Sequence, residues 1–406
     1  MQIPYGHGTT SIEFNEGRPV RVVSPRQAPA DANAIKQAIA NPVNFQSLES
    51  FLSNKRKLLV VVNDHTRPTP SLEALNQLLL SGKEVTTIVA GGTHRPPNPS
   101  ELERIIGANS PHYGGQVVLH NSRDRSLLKG IGKTSRGTEV FLNKLLFDTD
   151  GIIVVGSVEP HYFAGYTGGR KFLLPALAGY DSIAMNHCLA ASESSRVLAL
   201  EGNPVHDDLM EALNMFGRSG DIFSIQLVLN NQHQVSFASA GHIVDSFNKC
   251  VEDARQIYAP TIPNKVDITI SVNTPPLDID LYQSQKAIDN VKLAVNDGGV
   301  IILVSSCREG LGDRSFYDML TPGSGDLSAR AGQFGFHKAV KLRNLSKRVN
   351  IFAVTNLEPS IPTAIGLKPF QDVQSAVEDA SRLKGSDTEV LVVLEGAMTV
   401  PRPATT

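Results

Sequence analysis

Short apolar runs rich in valine and isoleucine recur along this chain. Between them, apolar residues return every three or four positions. The runs are Leu58 to Asp64, Val85 to Ala90, Gln116 to His120, Gly151 to Val155, Phe223 to Leu229, Val266 to Val272, Val300 to Ser305, Val349 to Val354 and Val390 to Leu394. Runs of this length and composition read as buried strands. Strands alternating with helical stretches predict βαβ units and mostly parallel sheets. One helix is expected to start at Ser71 as N-cap, with Leu72, Leu75 and Leu79 on one face. Others are expected over Ser284 to Val295 and over Pro369 to Leu383, proline being tolerated in a first turn. The turn-rich stretch Ala259 to Asn264 marks a boundary. The expected fold class is α/β, with two lobes, each a mostly parallel sheet flanked by helices, and a site in the cleft between them. Residues 1–260 form one lobe and 261–385 the other. Residues 386–406, a terminal strand and tail, are open to packing on either.

Polar motifs sit where these runs end. The first run ends in Asp64-His-Thr-Arg-Pro68, the second in Gly91-Gly-Thr-His-Arg-Pro96, the fourth in Glu159-Pro-His161 and a glycine-rich turn reaching Lys171. His187 follows shortly after. In the second lobe Val272 leads to Asp278 and Asp280, then to Tyr282, Gln283 and Lys286. Val300 to Ser305 leads to Cys307 and Asp313. Parallel strands put such motifs along one sheet edge, where open α/β sheets bind ligands. A single His or Arg past a strand is usually a turn or capping residue. Arg67 and Arg95 both precede proline and are biased to extended backbone. Their coincidence at so many strand ends points to one common site.

Gly165-Tyr-Thr-Gly-Gly-Arg-Lys171 does not fit the phosphate-loop pattern, because Phe172 follows the lysine. No G-x-G-x-x-G follows the first strands, so the usual dinucleotide fingerprint is absent. Backbone amides around Gly168, Gly169 and Arg170 still suit a mononucleotide phosphate. His161 and His187 match no standard zinc spacing. A metal carried mostly by a cofactor would need only one of them.

Composition narrows the partners. The 406 residues are 41% hydrophobic, enough for real cores, and carry a formal net charge of −2. No Lys/Arg run supports a nucleic-acid or membrane-surface partner. No apolar stretch approaches the roughly 18 residues of a membrane span. The N-terminus lacks the regions of a signal peptide. Cys188, Cys250 and Cys307 are too scattered for a disulfide framework. A cytoplasmic protein is expected.

At DHTRP (64–68), GTHRP (92–96), EPHYFAGYTGGRKFLLPALAGY (159–180), Asn186-His187 and YQSQK (282–286), in that order, the chain resembles the nickel-dependent lactate racemase family. The resemblance runs over most of the chain. It implies a nickel-pincer nucleotide, a pyridinium mononucleotide with two thiocarbonyl-type arms whose nickel is bonded to a ring carbon and both sulfurs. It makes 1–260 the cofactor-binding lobe. It implies Lys171 as the tether, His187 as the nickel ligand, and His94 and His161 as the acid/base pair. Asp64 and Arg67 would shape the site, Asp64 beside the cofactor with Gly168, Gly169 and Arg170. Arg67, Tyr282, Gln283 and Lys286 would hold the substrate. The implied reaction inverts C2 of a 2-hydroxy acid by reversible hydride transfer to the cofactor. Cofactor-biosynthesis proteins would load the site, and the oligomeric state is left open. The chain departs from the family in having no tryptophan in the second lobe, where Phe334 and His337-Lys338 stand. Two other readings compete: a nicotinamide-type 2-hydroxyacid dehydrogenase, and a protein that stores or delivers nickel or cofactor.

Overall fold

A computed structural model describes residues 1–107, 115–333 and 335–404; Phe334 lies outside the described residues. Two six-stranded sheets dominate. Their strands, in chain order, are β1 (Val20–Val23), β2 (Lys57–Asn63), β3 (Glu84–Ala90), β4 (Gln116–Leu119), β5 (Gly151–Ser157), β6 (Ile222–Leu229), β7 (Val235–Gly241), β8 (Val266–Val272), β9 (Val295–Val304), β10 (Asn350–Val354), β11 (Lys368–Phe370) and β12 (Val390–Val393). The chain divides into two compact units, one formed by residues 27–257 and the other by residues 1–26 with 258–406.

In the 27–257 unit the strand order is β7-β6-β5-β2-β3-β4. All neighbours are parallel except the edge pair β6–β7. Alternation along each strand feeds two separate cores. Leu59, Val61, Ile152 and Val154 face one, with Phe163, Leu173 and Leu209. Leu58, Val60, Val62, Ile153 and Val155 face the other, with Phe51 and Leu75. A sheet covered on both faces explains why its strands read as continuous apolar runs. Each fully buried Val or Ile contributes roughly 1.5–3 kcal/mol, against about 0–1 kcal/mol for an exposed ion pair. The sheet core, not surface charge, therefore holds the strand ends in place. After β2 the chain builds outward through β3 and β4, then returns to place β5 on the other side of β2. The β2/β5 junction is thus the topological switch point, where ligands bind in such sheets.

In the other unit the order is β11-β10-β9-β8-β12-β1, all parallel. Ile268, Ile270, Ile302, Val304 and Val392 pack with Val373, Ala376 and Val377 of the helix Val373–Lys384.

Several expectations are corrected. Residues 1–26 do not belong to the first lobe: β1 pairs with β12, Val20 opposite Val390 through Val23 opposite Val393. The tail after 386 belongs to the same unit, because β12 is an interior strand there. The boundary falls between Ile257 and Tyr258. The helix expected from Pro369 starts at Val373, capped by Asp372, and Pro369 sits in the edge strand β11, where a missing N–H is tolerated. The helix expected from Ser71 ends at Leu75, and Leu79 is 81% exposed. The helix expected over Ser284 to Val295 spans Leu281–Val291. Among the described residues, no helix is long and apolar enough to cross a membrane.

Candidate active site

Three neighbouring parallel strands, β5, β2 and β3, end side by side. Their following loops carry Glu159 and His161, Asp64 and Arg67, and His94. Register explains the meeting: Val62 lies opposite Val155, and Asn63 opposite Ala90. The loops line an open cleft built from residues of the 27–257 unit. Asp64, Arg67, His94, His161, Gly168, Gly169, Lys171 and His187 all face it.

His94 and Asp64 form a close pair, Nδ1 to Oδ2 at 2.6 Å. Asp64 is buried, while the His94 side chain is about half exposed. Thr66 Oγ1 donates to the other Asp64 oxygen at 2.7 Å. Burial alone would raise the Asp64 carboxyl. The His94 hydrogen bond and charge, Thr66, and the Arg67 charge outweigh it and hold the group below its ordinary value. With Nδ1–H given to Asp64, the neutral His94 ring keeps a lone pair on Nε2.

His161 is held differently. It sits in a two-residue ribbon, Pro160–His161 against Gly165–Tyr166. Its Nδ1 accepts the Ala164 amide at 3.3 Å, so the neutral ring carries its proton on Nε2. The Phe163 ring lies edge-on to His161 at 4.5 Å and to His187 at 5.0 Å, with Lys171 Nζ 5.7 Å from its centroid. Phe163 thus spaces these three groups.

The glycine turn is pinned from behind. Gly168 and Gly169 both have positive φ, and a Cβ on either would come within 2.6 Å of Gln226 and Val158 or of Phe247. The Gly169 amide donates to Gln226 Oε1 at 3.0 Å. Lys171 follows in the same tight turn, Gly169–Phe172. Arg170 is the exception among the expected cofactor contacts. Its side chain is buried away from the cleft, donates to the Ala164 carbonyl at 2.7 Å and lies over Phe247 at 4.5 Å. Burial pushes its guanidinium down to about 9.

His187 stands in the last turn of the helix Tyr180–Cys188. Its neighbour Asn186 anchors that helix by donating to the buried Asp208 at 2.8 Å, which Thr134 and Thr138 also hold. The residue keeps some solvent contact, but protein surrounds its ring. Burial, then the Lys171 charge, push the imidazole down to about 3, so it is neutral. Among the described residues no group of three or more His, Cys, Asp or Glu side chains is placed to hold a metal.

Tyr282, Gln283 and Lys286 belong to the other unit, on the helix Leu281–Val291. Asp280 caps that helix by accepting the Gln283 amide at 2.6 Å. Tyr282 packs on Phe316 and beneath Lys338 Nζ, 4.1 Å from its ring. Burial, then the Lys286 charge, hold Lys338 far below its ordinary value.

The sequence pointed to most of these groups but passed over Asn63, Ser157, Thr167 and Gln226, which also line the cleft. Gln226 carried a readable signal. It alternates with Ser224 as a polar position inside an otherwise apolar run.

A doubly wound α/β sheet with His94, His161, Lys171 and His187 lining one cleft at its switch point has the layout of a small-molecule site. Residues 5–198 match the lactate racemase N-terminal domain and residues 262–400 the lactate racemase C-terminal domain. The chain belongs to the lactate racemase family, and it is therefore an isomerase. It is 30% identical over 331 residues to the lactate racemase of Thermoanaerobacterium thermosaccharolyticum, covering 78% of this chain and 76% of that one. It is 26% identical over 389 residues to the lactate racemase of Lactiplantibacillus plantarum, covering 90% of each. The solved apoprotein from Thermoanaerobacterium thermosaccharolyticum superimposes with a TM-score of 0.91 at 26% identity, covering 99% of both chains. A structure from Thermotoga maritima, at 17% identity and a TM-score of 0.70, shares the fold.

Proposed function

We propose that this isomerase inverts C2 of a 2-hydroxy acid, lactate or a close relative, using a nickel-pincer nucleotide held by Lys171 and His187. The observation that carries the reading is the convergence of His94, His161, Lys171 and His187 on one switch-point cleft. The donor set suits the cofactor. A neutral imidazole is the form that binds a metal, and His187 is neutral. It would be the protein's single nickel donor. The Lys171 amine faces the same cleft for covalent tethering. When bound, the cofactor supplies an electron-poor ring carbon able to receive the C2 hydride.

The protein's own task is to move the hydroxyl proton and hold the carboxylate. His94, with its Nε2 lone pair, takes the hydroxyl proton of one enantiomer as hydride leaves. His161 carries a proton on Nε2 in its neutral form and hydrogen-bonds the substrate oxygen from the other side. For the opposite enantiomer the roles reverse only once the Ala164 amide bond to His161 Nδ1 opens, so that the ring carries its proton on Nδ1 and presents a lone pair on Nε2. Arg67 anchors the carboxylate while the 2-oxo carbonyl turns its other face. The dehydrogenase and delivery readings are set aside with membership in an isomerase family.

Cofactor-loaded enzyme incubated with single-enantiomer 2-hydroxy acids should form the opposite enantiomer, read by chiral chromatography. His94→Ala and His161→Ala should each slow this about 10²–10⁴-fold, and single-turnover oxidation should fail first for a different enantiomer in each. Near-wild-type racemisation by both variants would overturn the assignment. Intact-mass analysis after loading should show a cofactor adduct that Lys171→Ala lacks; an adduct retained in that variant would place the tether elsewhere.

A further inference from the structure

Arg67 does not approach the cleft as a bare cation. Its Nη1 donates to Glu159 Oε1 at 2.7 Å. Glu159 is 3% exposed and comes from the loop after β5, while Arg67 comes from the loop after β2. The pair therefore bridges the two strands of the switch point. Among the described residues, the Arg67 side chain makes no other hydrogen bond, so the rest of its planar fork of donors faces the cleft unspent.

The second Glu159 oxygen ends a relay of fixed direction. Asn63 Nδ2 donates to Thr69 Oγ1 at 2.8 Å, and Thr69 and Ser157 hydroxyls meet at 2.8 Å. Ser157 Oγ then donates to Glu159 Oε2 at 3.2 Å. Because Asn63 supplies a donor and Glu159 accepts at the far end, every hydroxyl proton points toward the carboxylate. The Glu159 backbone is tied down as well: its amide donates to Thr167 Oγ1 at 2.9 Å, and its carbonyl accepts from the Thr167 amide at 2.8 Å. This is far more fixation than an ion pair needs for stability.

We infer that Glu159 is a positioning residue that aims the Arg67 fork at the substrate carboxylate and cancels most of its charge, so that carboxylates are held by geometry more than by net attraction. The inference rests on Arg67 as the carboxylate anchor. A glutamine cannot replace the glutamate here. It offers one acceptor and one donor where two acceptors are required, so either the Arg67 bond is lost or the relay must reverse.

The test uses the full chain with propionate, a carboxylate that has no hydroxyl to react. In Glu159→Gln, Arg67 loses its neutralising partner but keeps its charge. Propionate should bind more tightly, on the order of fivefold after screening, by titration calorimetry and as a competitive inhibitor of the loaded enzyme. Turnover should fall on the order of tenfold or more, because the carboxylate is no longer aimed, while KM stays level or drops. A role in folding alone would lower Tm and leave KM, kcat and propionate affinity as in wild type, and that result would overturn the inference. If Glu159→Gln fails to fold, Glu159→Asp carries the test. It keeps the charge but withdraws it by one methylene, so propionate affinity should stay within about twofold while kcat falls; unchanged kcat would count against the inference. Loaded wild type that racemises no 2-hydroxy acid, with the propionate shift intact, would remove the proposed reaction and leave the positioning role standing.

Discussion

An Asp64→Asn enzyme should fold, bind substrate nearly as well as wild type, and turn over about 10³-fold more slowly. The expectation follows from the 2.6 Å contact between Asp64 Oδ2 and His94 Nδ1. A carboxylate there fixes the proton on Nδ1 and leaves the lone pair on Nε2. An amide can present N–H instead and force the opposite tautomer, a change that costs about 10⁴-fold behind the histidine of serine proteases. Here the His94 side chain is 49% exposed, so water competes for the ring and the smaller figure is expected. Nitrogen-15 spectra of the histidine rings should show His94 moving from the Nδ1–H toward the Nε2–H form. A turnover within about tenfold of wild type would reduce Asp64 to a packing role. A pH effect accompanies the change. Asp64 is held below its ordinary value, so its pairing stabilises the fold above about pH 4, the unfolded carboxylate's pKa, and that contribution is lost as pH falls through the lower native value. The variant should lose this acid-side dependence in urea denaturation.

His187→Ala should lose nickel and activity together. The ring is neutral and faces the cleft beside Lys171. Its backbone position is set independently of any metal, through the helix Tyr180–Cys188 and the Asn186–Asp208 bond. The variant should therefore stay folded, with a circular dichroism spectrum like that of wild type. Elemental analysis of the loaded protein should find nickel near background, while intact mass still finds organic cofactor on Lys171. The two readouts separate ligand from tether. Full nickel occupancy in His187→Ala would assign the metal to another side chain.

The sequence made the strands of both sheets visible because burial on both faces removes the polar alternation that confuses shorter runs. β5 and β6 are buried at every position. What it hid were features set by distant partners. β1 is mostly exposed and reads as a short surface run; only its pairing with β12, some 370 residues later, makes it a strand. Pro369 looked like a first-turn proline because either an edge strand or a helix start tolerates it. At the site, the histidines and Lys171 were legible from motifs at strand ends. That the Arg170 side chain turns inward was not legible, because spacing cannot tell which of two adjacent cations does so; packing against Phe247 decides that. The roles of Glu159 and Phe163 were invisible for the same reason. Each acts through a contact that exists only once the loops have met.

The pairing of β1 with β12 also bears on how the protein is made. The 27–257 unit is contiguous, so all of its strands have left the ribosome well before synthesis ends, and it is free to fold as a unit. The other unit starts first and finishes last. Its opening 26 residues must wait for Val390–Val393 to emerge. A nascent chain stalled after residue 257 but before Val390 would carry the complete 27–257 unit and an N-terminal segment whose β1 still lacks its partner strand. Quality-control proteases and chaperones would meet this enzyme in that form.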